Sequence, residues 1–348
     1  LKLYKRPTIK EVARSADVST QTVSRVINNR PDVADDTRER VLQVISQLGY
    51  QPSALARSLI QQRSYMLGIV TAGLKYSGPS RTLNGIAFQS EKMGYSLLLK
   101  ELSRFDGQDP KPLIQNLLSR HVDGIIWAVP QVGDNRSWIQ QGMDEMQVPM
   151  VFLTMENHSN LTIVSFDNFL AGKMATEHLL QQGYRHIAHI SGPGEWWESR
   201  QRRAGWRTAL QEAGLPPQEN QCVEGNWSEA SAEMAFSELI SQYPEMDAVF
   251  VSNDQMALSV EKLAGRMGIK IPEKLGVVGI DGLPETAYFS PPLTTILLDQ
   301  YLLGCTAVEE IIHSIERAHT RNTHEKNRTI ILNPELIVRE SSSYSQNY

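Results

Sequence analysis

From Tyr65 to Leu332 the chain alternates short, mostly β-branched apolar runs with amphipathic segments, and this alternation restricts the fold more than any other feature. The runs are Leu67–Thr71, Tyr95–Leu99, Asp123–Val129, Val148–Leu153, Leu161–Phe166, His186–Ser191, Gln221–Glu224, Asp247–Ser252, Leu275–Ile280, Leu293–Leu298 and Thr329–Leu332. Ser80–Met93, Asn168–Gln182 and Arg200–Ala213 between them have helical spacing. Continuously apolar strands joined by helices mean parallel sheets covered on both faces. About ten such units exceed one ordinary sheet, so two Rossmann-like α/β lobes are expected. The expected N-lobe spans about 64–166 and 299–325, and the C-lobe about 167–298 and 326–348. Open α/β sheets bind ligands beyond the carboxyl ends of their strands, which places a ligand site between the lobes.

The first 63 residues follow a different pattern. They carry a net charge of +5 on a chain whose remainder carries −10, so the small end is the one suited to a polyanion. Three short helices are expected in residues 1–50. Thr8 and Glu11 have capping-box spacing, and Ile9, Val12, Ala13 and Ala16 then share one face. Ala16-Asp17-Val18 reads as a tight turn and Ser19 as the cap of a second helix to about Ile27. A third helix from about Asp35 to Leu48 buries Val41, Val44, Ile45 and Leu48 and ends at Gly49 in a left-handed cap. Residues 51–63 read as a linker.

Several function classes fall away on composition. At 348 residues, 41% hydrophobic and 21% charged, the chain has the balance of a globular multidomain protein. No apolar run approaches the ~18 residues of a membrane span, and the basic start lacks an apolar signal core, so a cytoplasmic location is expected. Cys222 and Cys305, without CxxC spacing, offer neither a disulfide framework nor a zinc site. Gly192-Pro193-Gly194 follows a strand but fits no phosphate-binding fingerprint. His186 and His189, three apart on a strand, point to opposite faces. Neither an enzyme, nor a cofactor, nor a metal site is expected.

Residues 8–59 closely resemble the headpiece of the lactose repressor (LacI/GalR) family of bacterial regulators. The resemblance rests on Val18-Ser19-Thr20-Gln21-Thr22-Val23-Ser24-Arg25-Val26-Ile27-Asn28, on Thr37-Arg38-Glu39-Arg40-Val41 and on Leu48-Gly49-Tyr50-Gln51-Pro52. It extends through Ala204-Gly205-Trp206, Asn253–Leu258, Val277–Asp281 and Pro291–Thr295. It implies a helix-turn-helix headpiece on a periplasmic-binding-protein-like body, acting as a homodimer on pseudo-palindromic operator DNA under control of a small molecule, most simply a sugar. A recognition helix presents its N-terminal residues to base edges. Gln21 suits adenine, Thr20 suits thymine and Arg25 suits guanine. Thr22, Ser24, Asn28 and Thr37 are placed for phosphate contacts, which position without specifying. In the family a hinge helix, here Pro52–Leu59, folds on DNA, and the residue matching Leu59 wedges into the minor groove. Ser53 replaces the usual Asn there.

The resemblance also implies that Arg202, Asn253 and Asp281 bind the sugar, with Phe166 and Trp227 as aromatic partners and Pro79 and Thr154 on the wall. Thr154 stands where the family's namesake has an acidic ligand residue, Leu298 where it has Gln, and Gln300 where it has Phe. Thr82, beside Pro79, replaces a larger apolar residue, while Trp196 and Trp197 have no counterpart. Loss of an acid at Thr154 points to a different sugar, with an anionic group near Arg202 among the options. Arg339–Tyr348 contains no apolar heptad, so assembly is expected to stop at the dimer.

Overall fold

The computed structural model describes residues 7–51, 63–105, 109–139, 146–320 and 327–343. The chain divides into two compact units between Tyr65 and Met66. The linker residues 52–62, with Ser53 and Leu59, lie outside the described residues.

In the first unit α1 spans Ile9–Ser15, α2 Thr20–Ile27 and α3 Asp35–Leu48. Both halves of the Thr8/Glu11 capping box form: the Thr8 hydroxyl accepts from the Glu11 N–H, and the Glu11 carboxylate accepts from the Thr8 N–H at 2.7 Å. Asp17 takes a left-handed φ of 51°, which lets the chain reverse between α1 and α2. Val12, Ala13, Ala16, Val23, Val26, Val41 and Val44 close into one small core. Arg40 Nε donates to the Ala16 carbonyl at 3.1 Å, tying α3 to the turn. Gly49 ends α3 at φ 62°, as expected. Leu48 departs from the expectation, because it is 38% exposed rather than buried. It is the last residue of α3, where the helix has run past its partners.

The second unit holds two six-stranded sheets. The first runs β2 (Ser96–Leu102), β1 (Met66–Ala72), β3 (Gly124–Ala128), β4 (Met150–Leu153), β5 (Thr162–Phe166) and β11 (Thr329–Leu332). The second runs β7 (Cys222–Glu224), β6 (Ile187–Ser191), β8 (Ala248–Val251), β9 (Gly276–Asp281), β10 (Thr294–Leu297) and β12 (Glu335–Ile337). All pairings are parallel except β10 with β12. The two sheets thus repeat one strand order, each with its first strand next to the second and the third, which creates a topological switch point in each lobe. Burial explains the continuous apolar runs, since every residue of β4, β5, β6 and β8 is buried.

The chain crosses between lobes after β5, after β10 and again between β11 and β12. That last crossing corrects the expected boundary at 326. Thr329–Leu332 belongs to the first lobe, pairing in parallel with Ile163–Phe166, and only Glu335–Ile337 joins the second sheet. An apolar run shows that a strand exists but not which sheet will pair with it. Three-residue β12 is too short to stand out by alternation.

Candidate DNA interface and effector cleft

On α2 the Ser19 hydroxyl caps the helix by accepting from the Thr22 N–H at 3.0 Å, and its oxygen lies 2.9 Å from the Thr22 hydroxyl. At the other end Asn28 folds back, donating to the Ser24 carbonyl at 2.8 Å. Thr22, Ser24 and Asn28 therefore have partners within the helix. Thr20, Gln21 and Arg25 stand exposed on the first two turns, opposite the buried Val23 and Val26. Arg25 makes only a 3.6 Å ion pair with Asp32, both side chains more than half exposed, a contact weak enough to surrender to a stronger partner. Thr37, on the first turn of α3, is half-buried.

In the second unit the carboxyl ends of the strands enclose a cleft, the usual place for a ligand in paired α/β lobes. Pro79 and Thr154 line it from the first lobe, and Arg202, Trp227, Asn253 and Asp281 from the second. Phe166 does not. It is 2% exposed at the end of β5, in the lobe interior, so it supports the wall without forming it. Strand alternation decides which way a terminal side chain faces, and at Phe166 it faces inward. Leu298 likewise is fully buried and absent from the wall.

Arg202 lies on the second turn of helix Trp197–Glu212 rather than at its start. That helix crosses helix Asn168–Gln181 where Gly172 and Gly205 face it, and a Cβ on Gly172 would meet the Arg202 carbonyl oxygen at 2.1 Å. The crossing holds the Arg202 backbone close to Asn168. The residue is 4% exposed, with Nε donating to Asn168 Oδ1 at 2.9 Å and Nη1 to the Ser252 carbonyl at 2.6 Å. Its guanidinium also lies 5.7 Å from the centre of the Trp227 ring. Asn253 caps helix Asp254–Arg266, accepting from the Met256 N–H at 2.8 Å and donating to the Trp227 carbonyl at 3.1 Å. Asp281 ends β9 with a φ of 126°, an unusual conformation for a residue with a side chain.

Among the cleft residues not singled out from the sequence as ligand contacts are Tyr76, Trp196, Glu198 and Gln255. Trp196 packs edge-on against Trp227, with ring centres 5.5 Å apart, and its other neighbour is Phe105 at 4.8 Å. The available signal was the pair Trp196-Trp197 just after a strand and a glycine turn. Glu198, in the first turn of helix Trp197–Glu212, brings a second carboxyl to the cleft. Burial pushes the Glu198 carboxyl up to about 7, with Arg202 pulling it down and Asp281 pushing it further up. Burial also raises Asp281 to about 6 against the pull of Arg202 and Arg81. The cleft thus combines two carboxyls, one fixed guanidinium, a fixed amide and aromatic walls. It can exchange hydrogen bonds with hydroxyls and cover an apolar ring face. Among the described residues no group of His, Cys, Asp and Glu could hold a metal ion.

A helix-turn-helix unit on a two-lobed cleft defines a ligand-responsive, DNA-binding regulator. Residues 8–53 match the description "Bacterial regulatory proteins, lacI family", and residues 176–342 match "Periplasmic binding protein-like domain". The transcriptional repressor PurR of Photobacterium profundum is 32% identical over 96% of this chain and 98% of its own length. A lac repressor dimer bound to operator and the anti-inducer ONPF superposes with a TM-score of 0.85 at 28% identity, covering 97% of this chain and all of that one. The regulator CelR in complex with cellobiose gives a TM-score of 0.71 at 29% identity, with the same coverage. The chain belongs to the LacI family. As a LacI-family transcriptional repressor it joins a DNA-binding headpiece to a domain for a small-molecule effector, and it is not an enzyme.

Proposed function

We propose that this repressor binds a pseudo-palindromic operator as a homodimer and that a neutral sugar, held in the cleft, controls the affinity. Thr20, Gln21 and Arg25 read bases, while Thr22, Ser24, Asn28 and Thr37 hold phosphates; Leu59 acts as the minor-groove wedge of the hinge. The protomers meet through exposed apolar side chains of both lobes, among them Phe88 and Met93 in the first and Leu258 and Met267 in the second. No helix among the described residues is long and apolar enough to cross a membrane. A repressor acts where the chromosome is, in the cytoplasm.

The observation that carries the sugar reading is the combination of Arg202 and Asp281 with the Trp227 face. Arg202 donates, Asp281 accepts, and Asn253 has a remaining donor and acceptor, as adjacent ring hydroxyls require. Glu198 argues against an effector with an anionic group near Arg202, because two carboxyls already flank that guanidinium. The similarity to PurR favours a second reading, a purine acting as corepressor. Sugar control requires different affinities for two states of the lobes, and a corepressor would prefer the DNA-binding one.

A thermal-shift panel separates these readings. Neutral sugars, cellobiose included, should raise Tm by an amount that grows with the logarithm of their concentration above Kd, while sugar phosphates and purine bases should not. A shift with a purine base alone would overturn the sugar reading.

A further inference from the structure

Beyond the cleft walls, the two lobes touch through a short backbone ladder that the assigned functions do not use. The loop after β3 meets the loop after β6, with Val132 opposite Trp196 as an isolated antiparallel bridge. The Gly133 N–H donates to the Glu195 carbonyl at 2.9 Å and the Trp197 N–H to the Gln131 carbonyl at 3.0 Å. Val132 and Trp196 therefore form a non-hydrogen-bonded pair, the position where facing side chains stand closest.

Both sides of the ladder are fastened. In the first lobe Asn135 donates to the Phe105 carbonyl at 2.8 Å and the Pro130 carbonyl at 2.9 Å, and Gln131 Oε1 accepts from the Glu156 N–H at 3.0 Å. In the second lobe Trp196 is the residue from which helix Trp197–Glu212 starts, and Glu198 and Arg202 lie on the first two turns of that helix. The Trp196 ring touches Phe105 of the first lobe and Trp227 of the second, and it lines the cleft. One side chain thus contacts both lobes, the cavity and the start of the helix that carries Arg202.

We propose that Trp196 is a clasp between the lobes as well as a wall of the ligand site, so that a ligand ring lying against it stabilises the closed pair. The wall half of this proposal rests on the sugar reading of the cleft. Trp196 and Trp227 stand 5.5 Å apart and both line the cleft, so a ring lying on Trp227 lies beside Trp196 as well. Trp196 acts as a positioning residue for closure, since the ladder bonds are made by its neighbours' backbone.

Hydrogen exchange at the Gly133 and Trp197 amides of the full-length protein tests the clasp without any ligand. Both should be protected in the wild type and exchange about tenfold or more faster in Trp196→Ala, while β8 stays protected and so reports an intact fold. Trp196→Phe should restore protection to within about threefold, because it keeps an aromatic ring between Phe105 and Trp227. Equal exchange in Trp196→Ala and wild type, or no rescue by Phe, would overturn the clasp. Calorimetry with cellobiose and with glucose tests the wall: Trp196→Ala should weaken whichever of them binds the wild type about tenfold or more, and Trp196→Phe by less than about threefold. Unchanged sugar binding in Trp196→Ala would overturn the wall. If neither sugar binds the wild type, the sugar reading and the wall fail together, and exchange alone decides the clasp.

Discussion

In the headpiece Thr20, Gln21 and Arg25 project from a helix whose other face is core, and among the described residues no strong partner holds them. In the cleft Arg202, Asn253 and Trp227 are 4%, 6% and 8% exposed, and the side chains of the first two are committed to protein partners before any ligand arrives. The difference follows from what each surface meets. DNA brings its own charge and shape, so the headpiece needs only a rigid platform with free side chains. A small ligand offers few contacts, so its site must be preorganised, as the guanidinium of Arg202 already is by Asn168 and Ser252. Removing a headpiece contact should therefore affect DNA alone, whereas removing a cleft residue should disturb both the ligand and the local fold.

The largest effect expected on that view is at Arg202. Arg202→Ala removes the donors to Asn168 and Ser252 from a buried site, so ligand affinity should fall about 100-fold or more and stability by about 2–4 kcal/mol. Calorimetry and denaturant unfolding check both; unchanged stability would break the claim of preorganisation. Arg25→Ala should weaken operator binding by about 1–3 kcal/mol with selectivity lost at one base pair, and leave unfolding unchanged. A competition assay over single-base operator variants reads this.

A smaller effect, opposite in sign, is expected at Glu261. This side chain is 4% exposed with neither carboxyl oxygen hydrogen-bonded, and burial, reinforced by Asp254, raises it to about 8. A raised acid binds its proton more tightly in the folded state, so its contribution to stability declines as pH rises from about 4.5 to about 8. Glu261→Gln should accordingly raise stability by about 1–3 kcal/mol at pH 8, with the gain shrinking toward pH 4.5. A gain that does not depend on pH would show that ionisation is not its cause. Smallest of all, Thr37→Ala should weaken operator and random DNA alike, by less than about 1 kcal/mol, as filter binding at fixed salt would read.

The same contrast governs how much could be read from residues alone. The headpiece was legible because its signals are local: a capping box at Thr8 and Glu11, a cap at Ser19, a glycine at 49. The strand runs were legible for a related reason, since burial on both faces leaves continuous apolar stretches. Assignment of β11 to the first lobe depends on pairing over distance, and in β5, where every residue is buried, no apolar pattern marks which end reaches the cleft. Glu198 and Trp196 escaped because only packing shows that the start of helix Trp197–Glu212 borders the cleft. What a cleft requires is a set of groups around a volume, and the backbone can supply each from several places.

The central claim is that DNA is read in the headpiece and the effector in the cleft by separate sets of side chains. It is tested most directly by measuring operator affinity and sugar-induced thermal shift together on Arg25→Ala and Arg202→Ala, using the sugar that shifts the wild type most. Arg25→Ala should lose operator affinity and keep the full thermal shift. Arg202→Ala should keep operator affinity within about threefold and lose the shift, along with any change in operator binding on adding the sugar. Loss of both properties in Arg25→Ala, or a normal sugar response in Arg202→Ala, would contradict the account.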